Sequence, residues 1–172
     1  MANTYELISS VTVGAGGASS IDFTSIPATY TDLALKVSYR DGYAATFLTP
    51  NIYLNGVNTG TSYSGRRLEG NGASAGSGSY SSGAKATAEN INAASSTSNT
   101  FTSVDIYIPN YVGSTNKSWS MDIVTEANGT TSYAELHASL FSNTSAINRV
   151  TLEAPSSFVQ YSTAYLYGIK NS

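Results

Sequence analysis

The chain has 172 residues, enough to bury a core of its own, and we predict a single domain over residues 1–172. Charged residues make up 11% of the sequence, against about 25% in a typical soluble domain. The net charge of −3, the lack of cysteine and the lack of a long apolar run exclude nucleic acid and membranes as partners, and also disulfide or thiolate chemistry.

Several segments alternate apolar and polar residues, which is the pattern of half-buried strands. In residues 33–40, Leu33 and Leu35 share one face, while Lys36 lies on the other. The same alternation recurs in four later runs, at residues 104–108, 119–123, 150–154 and 160–169. We expect the last run to pair with residues 5–13, and Trp119 to lie in the core. About eight strands at this spacing predict an all-β fold, a single-domain antiparallel β-sandwich.

Three dipeptides predict tight turns between these strands. Asn55-Gly56 and Asn128-Gly129 carry the strongest signal, because both residue types accept the positive φ values of hairpin turns. Asp41-Gly42 is the third.

The middle of the chain, residues 58–99, is dominated by Gly, Ser, Ala, Thr and Asn. This composition is typical of a flexible linker and predicts a long Gly/Ser/Ala-rich loop region inserted in the sandwich. A long loop in a compact domain is usually functional or disordered. We expect this one to pack against its own sandwich or against a neighbouring chain.

Residues 133–141 alternate as a strand would, although Ala, Glu and Leu also favour helices. A strand there places His137 and Glu135 on the face opposite the apolar residues, which predicts a surface or interface histidine. Glu126 and Glu135 flank one turn and could approach each other across a hairpin, which is one such coincidence among eleven Asp and Glu residues. With one histidine, no cysteine and no nucleophile elbow or phosphate-loop motif, we expect no enzyme activity, no metal and no cofactor.

Tyrosine is the residue type in this sequence that is best suited to binding another molecule. The chain has 13 Tyr, and a surface rich in Tyr, Ser, Gly and Asn is typical of binding surfaces. The tyrosines in or beside predicted loops are the binding candidates: Tyr43, Tyr63, Tyr80 and Tyr111.

Half of the arginines are adjacent in the uncharged middle region, at Arg66 and Arg67, followed by Glu69. Arginine is favoured at interfaces because its planar fork pairs with carboxylates and stacks on rings. Arg66, Arg67 and Glu69 are therefore further binding or interface candidates, and we expect the two arginines to support a contact with a neighbouring subunit or an acidic partner.

The two ends and two middle segments share a wider pattern. The chain opens with ISSVTVGAGG (8–17) and IDFTSIPATYTDL (21–33), closes with FVQYSTAYLYGI (158–169), and has YSGR (63–66) and IPNY (108–111) between them. This pattern resembles small virion-associated proteins of tailed bacteriophages, especially marine and cyanobacterial phages. The resemblance implies a place on the virion surface after assembly in the host cytoplasm. The absence of a cationic and apolar leader agrees with this, because it predicts no signal peptide.

The favoured function is a capsid decoration or cement protein, a jelly-roll-like sandwich on the outside of the head. Its partners would be further copies of itself, in a homo-oligomer such as a trimer, and the major capsid protein. The alternative is a tail fibre or spike component that binds a host surface glycan or protein. An enzyme such as a depolymerase is the third and least supported hypothesis.

Overall fold

The structure, a computed structural model, describes residues 4–170, without the side chains of residues 81 and 82. Residues 1–3 and 171–172, the ends of the predicted domain, lie outside the described residues. Within residues 4–170 the regular elements are fourteen β-strands: β1 (Tyr5–Thr12), β2 (Ala18–Phe23), β3 (Asp32–Tyr39), β4 (Phe47–Leu48), β5 (Asn51–Leu54), β6 (Tyr63–Gly70), β7 (Ala75–Gly83), β8 (Ala86–Thr87), β9 (Ile91–Asn92), β10 (Thr102–Ile108), β11 (Lys117–Thr125), β12 (Tyr133–Phe141), β13 (Val150–Phe158) and β14 (Thr163–Ile169). The described chain has no helix with the length and hydrophobicity that a membrane crossing requires.

The strands form one large and two smaller sheets, and the all-β class predicted from the sequence is confirmed. The large sheet has eight strands in the order β1-β14-β3-β10-β11-β12-β6-β7, and β2-β13-β5-β8 and β4-β9 form the others. Neighbouring strands pair antiparallel in all three sheets. The predicted pairing of the two chain ends is also confirmed, because β1 lies beside β14 with Val11 opposite Ala164.

Inward side chains of the eight-stranded and four-stranded sheets share one hydrophobic core. On β3, Leu33 and Leu35 are fully buried, as the alternation predicts, and Ile52 and Leu152 of the smaller sheet belong to the same cluster. The prediction that Trp119 lies in this core is confirmed. Burial of these apolar surfaces supplies the main favourable free energy of folding.

One of the three turn predictions is confirmed in full, and a second only in part. Asn55 and Gly56 have φ values of 55° and 68°, and the Val57 amide donates to the Leu54 carbonyl at 3.1 Å. Asn128 also has a positive φ, of 49°, but Gly129 does not, and the connection between β11 and β12 spans residues 126–132, which is longer than a tight hairpin turn.

Asp41 is the exception, and its turn prediction is wrong. Asp41 is buried and forms an isolated bridge with Phe158. Its carboxylate accepts the amides of Tyr43, at 2.8 Å, and Ser156, at 3.2 Å. The side chain therefore ties two segments together, and this role needs no positive φ.

The prediction of a long loop over residues 58–99 is also wrong, because this region contains β6, β7, β8 and β9. The glycines explain why so flexible a composition forms strands. Gly76 lies opposite Glu69 and Gly78 opposite Arg67, so the long side chains of β6 extend over positions of β7 that lack a Cβ. Glycine in a strand often marks such a close approach.

Candidate binding site on the flank of the large sheet

The middle of strand β12, residues 134–139, presents its polar side chains inward and its apolar side chains outward. His137 is 2% exposed and Glu135 is also buried, whereas Leu136 between them is 51% exposed. The strand predicted for residues 133–141 is confirmed, but the prediction of a surface or interface histidine is wrong. The alternation in this segment is correct, but its polar face is the buried one.

Polar groups cover Glu135 and make its burial tolerable. Its Oε2 lies 2.7 Å from His137 Nε2, and its Oε1 accepts a hydrogen bond from the Asn90 side chain at 2.6 Å. Asn90 immediately precedes β9. A buried carboxylate is costly unless it is hydrogen-bonded, and here each oxygen has a partner.

The neighbouring strand β6 continues this polar face. Arg67 lies opposite His137 in the register, and its Nε donates to Glu69 at 2.9 Å while its Nη1 pairs with Glu89. Burial lowers the pKa of Arg67, but the Glu89 and Glu69 carboxylates more than offset this and raise it. Arg67 and Glu69, which the sequence assigned to an external contact, thus have ion-pair partners within the chain.

A cavity lies beside the β6–β7 hairpin, and we call it the hairpin cavity. Its volume is about 360 Å³. It is lined by residues of β6, of β7 and of the segment through β8, together with Thr49 and His137: Arg66, Arg67, Gly78, Ser79, Tyr80, Gly83, Ala84, Lys85, Thr87 and Glu89. It therefore brings together Arg66, Arg67 and Tyr80, three of the residues that the sequence selected for binding.

Two cations of the hairpin cavity have no carboxylate partner. The Arg66 guanidinium donates to the Gly65 carbonyl at 2.9 Å and forms no salt bridge in the described chain. The Lys85 side chain makes neither a hydrogen bond nor a salt bridge with the described residues, although its charge lowers the pKa of Glu153. Glu89 is the only carboxylate among the lining residues, and Arg67 already binds it.

Tyr80 is held at the cavity by a glycine. A Cβ at Gly65 would lie 2.5 Å from the Tyr80 ring, so the ring packs directly over the bare backbone of β6. The Tyr80 hydroxyl lies 3.5 Å from the Ser139 hydroxyl. Burial raises the pKa of Tyr80, so its phenol stays neutral and able to donate a hydrogen bond at ordinary pH.

The outer face of the same strands carries the leucine stripe, which we define as Leu68, Leu136 and Val124. Leu68 and Leu136 are directly opposite each other, and the three side chains are 62%, 51% and 53% exposed. A second cavity, of about 450 Å³, lies here and is lined in part by Leu68, Leu136 and Arg66. Three adjacent strands therefore present large aliphatic side chains on one exposed face.

The structure separates the four candidate tyrosines. Tyr43 is exposed and Tyr80 is half-buried at the hairpin cavity. Tyr63 and Tyr111 are buried, which corrects their assignment to a binding surface. The Tyr63 ring stacks on Phe141 with centroids 4.9 Å apart.

Both corrected tyrosines use their hydroxyls within the protein. The Tyr63 hydroxyl accepts the Leu54 amide at 2.8 Å, and the Tyr111 hydroxyl donates to the Pro27 carbonyl. Burial raises the pKa of Tyr63 to about 12. Each tyrosine thus anchors a connection to the core, which is the ordinary reason for a buried phenol.

The carboxylate pair considered in the sequence does not form a shared site. Glu126 is exposed and accepts the Asn128 amide in its own turn at 2.7 Å, while Glu135 is bound by His137 and Asn90. Within the described part of the chain, no three His, Asp or Glu side chains are grouped so that they could hold a metal ion.

Sequence reasoning missed Lys85, Glu89 and the leucine stripe. The alternate glycines of β7, Gly76 and Gly78, were the available signal, because glycine at every second position predicts one bare strand face.

Comparison with protein-family models, with curated proteins and with solved structures finds no match to this chain.

Proposed function

We propose that the chain is a non-enzymatic structural protein of a phage virion, a decoration or cement protein bound to the outer surface of the head. The observation that carries the proposal is the leucine stripe. Contiguous exposed apolar patches are uncommon on monomeric proteins and mark interaction sites. The resemblance of both chain ends to virion-associated proteins supports the major capsid protein as the partner.

The finer fold belongs to the same proposal. We infer a jelly-roll-like sandwich of the eight-stranded and four-stranded sheets, supported by the core that the two sheets share. A core of this kind gives stability without disulfides, as a virion surface protein requires. Symmetric assembly on a capsid would place several copies side by side, so a homo-oligomer such as a trimer remains part of the proposal.

Co-sedimentation with capsids tests the attachment. Heads that lack the chain are mixed with purified protein and pelleted, and the bound fraction is measured against protein concentration. Leu68→Ser/Leu136→Ser should weaken binding at least tenfold, because it removes two apolar contacts from the stripe. Leu7→Ser is the matched control, since Leu7 is 53% exposed on β1 at the other end of the sheet.

Two outcomes would overturn the proposal. One is equal binding by the double variant and the wild type, which would exclude the stripe as the attachment face. The other is the absence of the chain from purified virions.

The hairpin cavity favours a second candidate, a tail fibre or spike component that binds a host surface glycan. Its tyrosine, its hydroxyl-bearing lining and its fixed charges are the features of a small-ligand pocket. Immunogold labelling of virions separates the two candidates. Label over the head supports decoration, whereas label confined to the tail supports the fibre or spike.

A further inference from the structure

We propose that the hairpin cavity binds a carboxylated sugar, the acidic unit of an anionic glycan. This inference goes beyond capsid attachment, because it concerns the hairpin cavity, which adjoins the leucine stripe at Arg66 but is lined by neither Leu68 nor Leu136. It deepens the second candidate function by naming the class of ligand, and it rests on residues whose contacts are given above.

The size and lining of the cavity suit one sugar unit. A volume of about 360 Å³ is at the lower end of the range for small-ligand pockets. Tyr80 supplies an aromatic ring for the C–H groups of a sugar, and Thr49, Ser79 and Thr87 supply hydroxyls for its polar groups. Gly78 and Gly83 leave the wall of β7 free of side chains at two positions.

The charge distribution selects an acidic sugar over a neutral one. The protein has only eight Lys and Arg and a net charge of −3, yet three of those cations line this one cavity: Arg66, Arg67 and Lys85. The single lining carboxylate, Glu89, is already paired with Arg67. Arg66 and Lys85 form no salt bridge with the described residues, and a ligand carboxylate could pair with both.

Two of the lining groups, Arg67 and Tyr80, are held in place before any ligand arrives. Arg67 is fixed between Glu69 and Glu89, and Tyr80 is seated on Gly65. A preorganised site loses less conformational entropy on binding than a flexible one. This rigidity separates the cavity from an incidental gap between loops.

Isothermal titration of the full chain with three probes tests the proposal. D-glucuronate carries both the sugar ring and the carboxylate, D-glucose carries the ring alone, and inorganic phosphate carries charge alone. We expect saturable binding of D-glucuronate, at least tenfold tighter than that of either other probe. High salt should weaken this binding, because the two cations supply part of it.

Two variants assign the binding to the cavity. Lys85→Gln and Tyr80→Ser should each weaken D-glucuronate binding at least fivefold, the first by removing charge and the second by removing the ring. Lys36→Gln is the matched control, because Lys36 pairs with Asp105 on β10, outside the cavity, and should bind as wild type does. Thermal unfolding of each variant confirms that it is folded.

Each contrary result overturns the proposal in a different way. Equal binding of D-glucose removes the role of charge, and equal binding of phosphate reduces the site to a simple anion site. No binding of D-glucuronate excludes the carboxylated sugar. None of these results affects capsid attachment, which co-sedimentation tests separately.

Discussion

The centre of the large sheet and its β12-β6-β7 flank use the same alternation with opposite polarity. On β3, Leu35 is fully buried and Lys36 is exposed in a salt bridge with Asp105. On β12, Leu136 is exposed and His137 is buried beside Glu135. Alternation therefore specifies a strand, whereas the residues packed against the strand determine which of its faces is buried.

The sizes of the two sheets explain the change along the large sheet. The eight-stranded sheet shares its hydrophobic core with a sheet of only four strands, so fewer apolar strands are available to pack against it. The inward residues of β3 and β10 share one apolar cluster with Ile52 and Leu152 of the smaller sheet. Over the flank, the groups that meet β12 and β6 are Asn90 and Glu89. Because these partners are polar, the side chains of β12 and β6 that pack against them are polar as well.

Matched leucine substitutions should show the largest contrast between the two regions. Leu35→Ala leaves a cavity in the core and should cost about 2–5 kcal/mol of unfolding free energy. Leu136→Ala removes an exposed side chain and should change that free energy by less than about 0.5 kcal/mol. Urea denaturation measures both. Similar losses of unfolding free energy in the two variants would contradict this contrast, because they would mean that the outer face of the flank is packed as tightly as the core.

Glycine-to-alanine substitutions test the same two regions, and we expect them to change the free energy of unfolding by less. A Cβ at Gly168 on β14 would lie 2.2 Å from Cγ of Tyr30, near the base of the ring, so Gly168→Ala should cost about 2–3 kcal/mol. Gly65→Ala meets the outer end of the Tyr80 ring, which can move, and should cost about 1 kcal/mol.

Gly70→Ala is the control for both, because nothing lies within 4 Å of its Cβ position and its φ is not positive. It should be neutral or slightly stabilising. Denaturation midpoints rank the three variants. If Gly65→Ala is as harmless as Gly70→Ala, Tyr80 is not seated on the bare strand.

The smallest effect is expected at a surface ion pair of the four-stranded sheet. Asp22 accepts hydrogen bonds from Arg149 Nε and Nη2 at 2.9 and 2.7 Å. The Arg149 side chain lowers the pKa of Asp22, partly opposed by burial. Because the pKa is lower in the folded state, the stabilisation is present at neutral pH and is lost as the pH falls through the folded pKa.

Asp22→Asn should therefore destabilise the protein at neutral pH by no more than about 1 kcal/mol, since the pair is partly exposed. The difference from wild type should vanish in acid. Urea denaturation across this pH range measures it. A difference that grows as the pH falls would contradict the assigned sign.

The sequence was sufficient for the parts of the fold that depend on local pattern. The alternation at Leu33 and Leu35, the Asn55-Gly56 turn and the pairing of the chain ends follow from period and turn chemistry. The hairpin over residues 63–83 could not be predicted in this way, because Gly and Ser disfavour strands until Arg67 and Glu69 extend over the glycines.

The candidate site divides in the same way. Arg66, Arg67 and Tyr80 were selected from the sequence because charge and aromatic rings are visible there. Lys85 and Glu89 were not selected, since only the packing of the segment around β8 near the β6–β7 hairpin brings them to the cavity. Tyr63 and Tyr111 were misassigned because adjacency to a loop does not determine burial.

We propose that the β12-β6-β7 flank is the region that contacts the capsid. Hydroxyl-radical footprinting of the free and the capsid-bound chain is the most direct test of this proposal. The exposed side chains at the two ends of the large sheet are compared within one experiment. We predict that Leu68 and Leu136 lose labelling on binding while Tyr5 and Leu7 keep theirs. Unchanged labelling of the leucine stripe, with protection at Tyr5 and Leu7, would contradict the account.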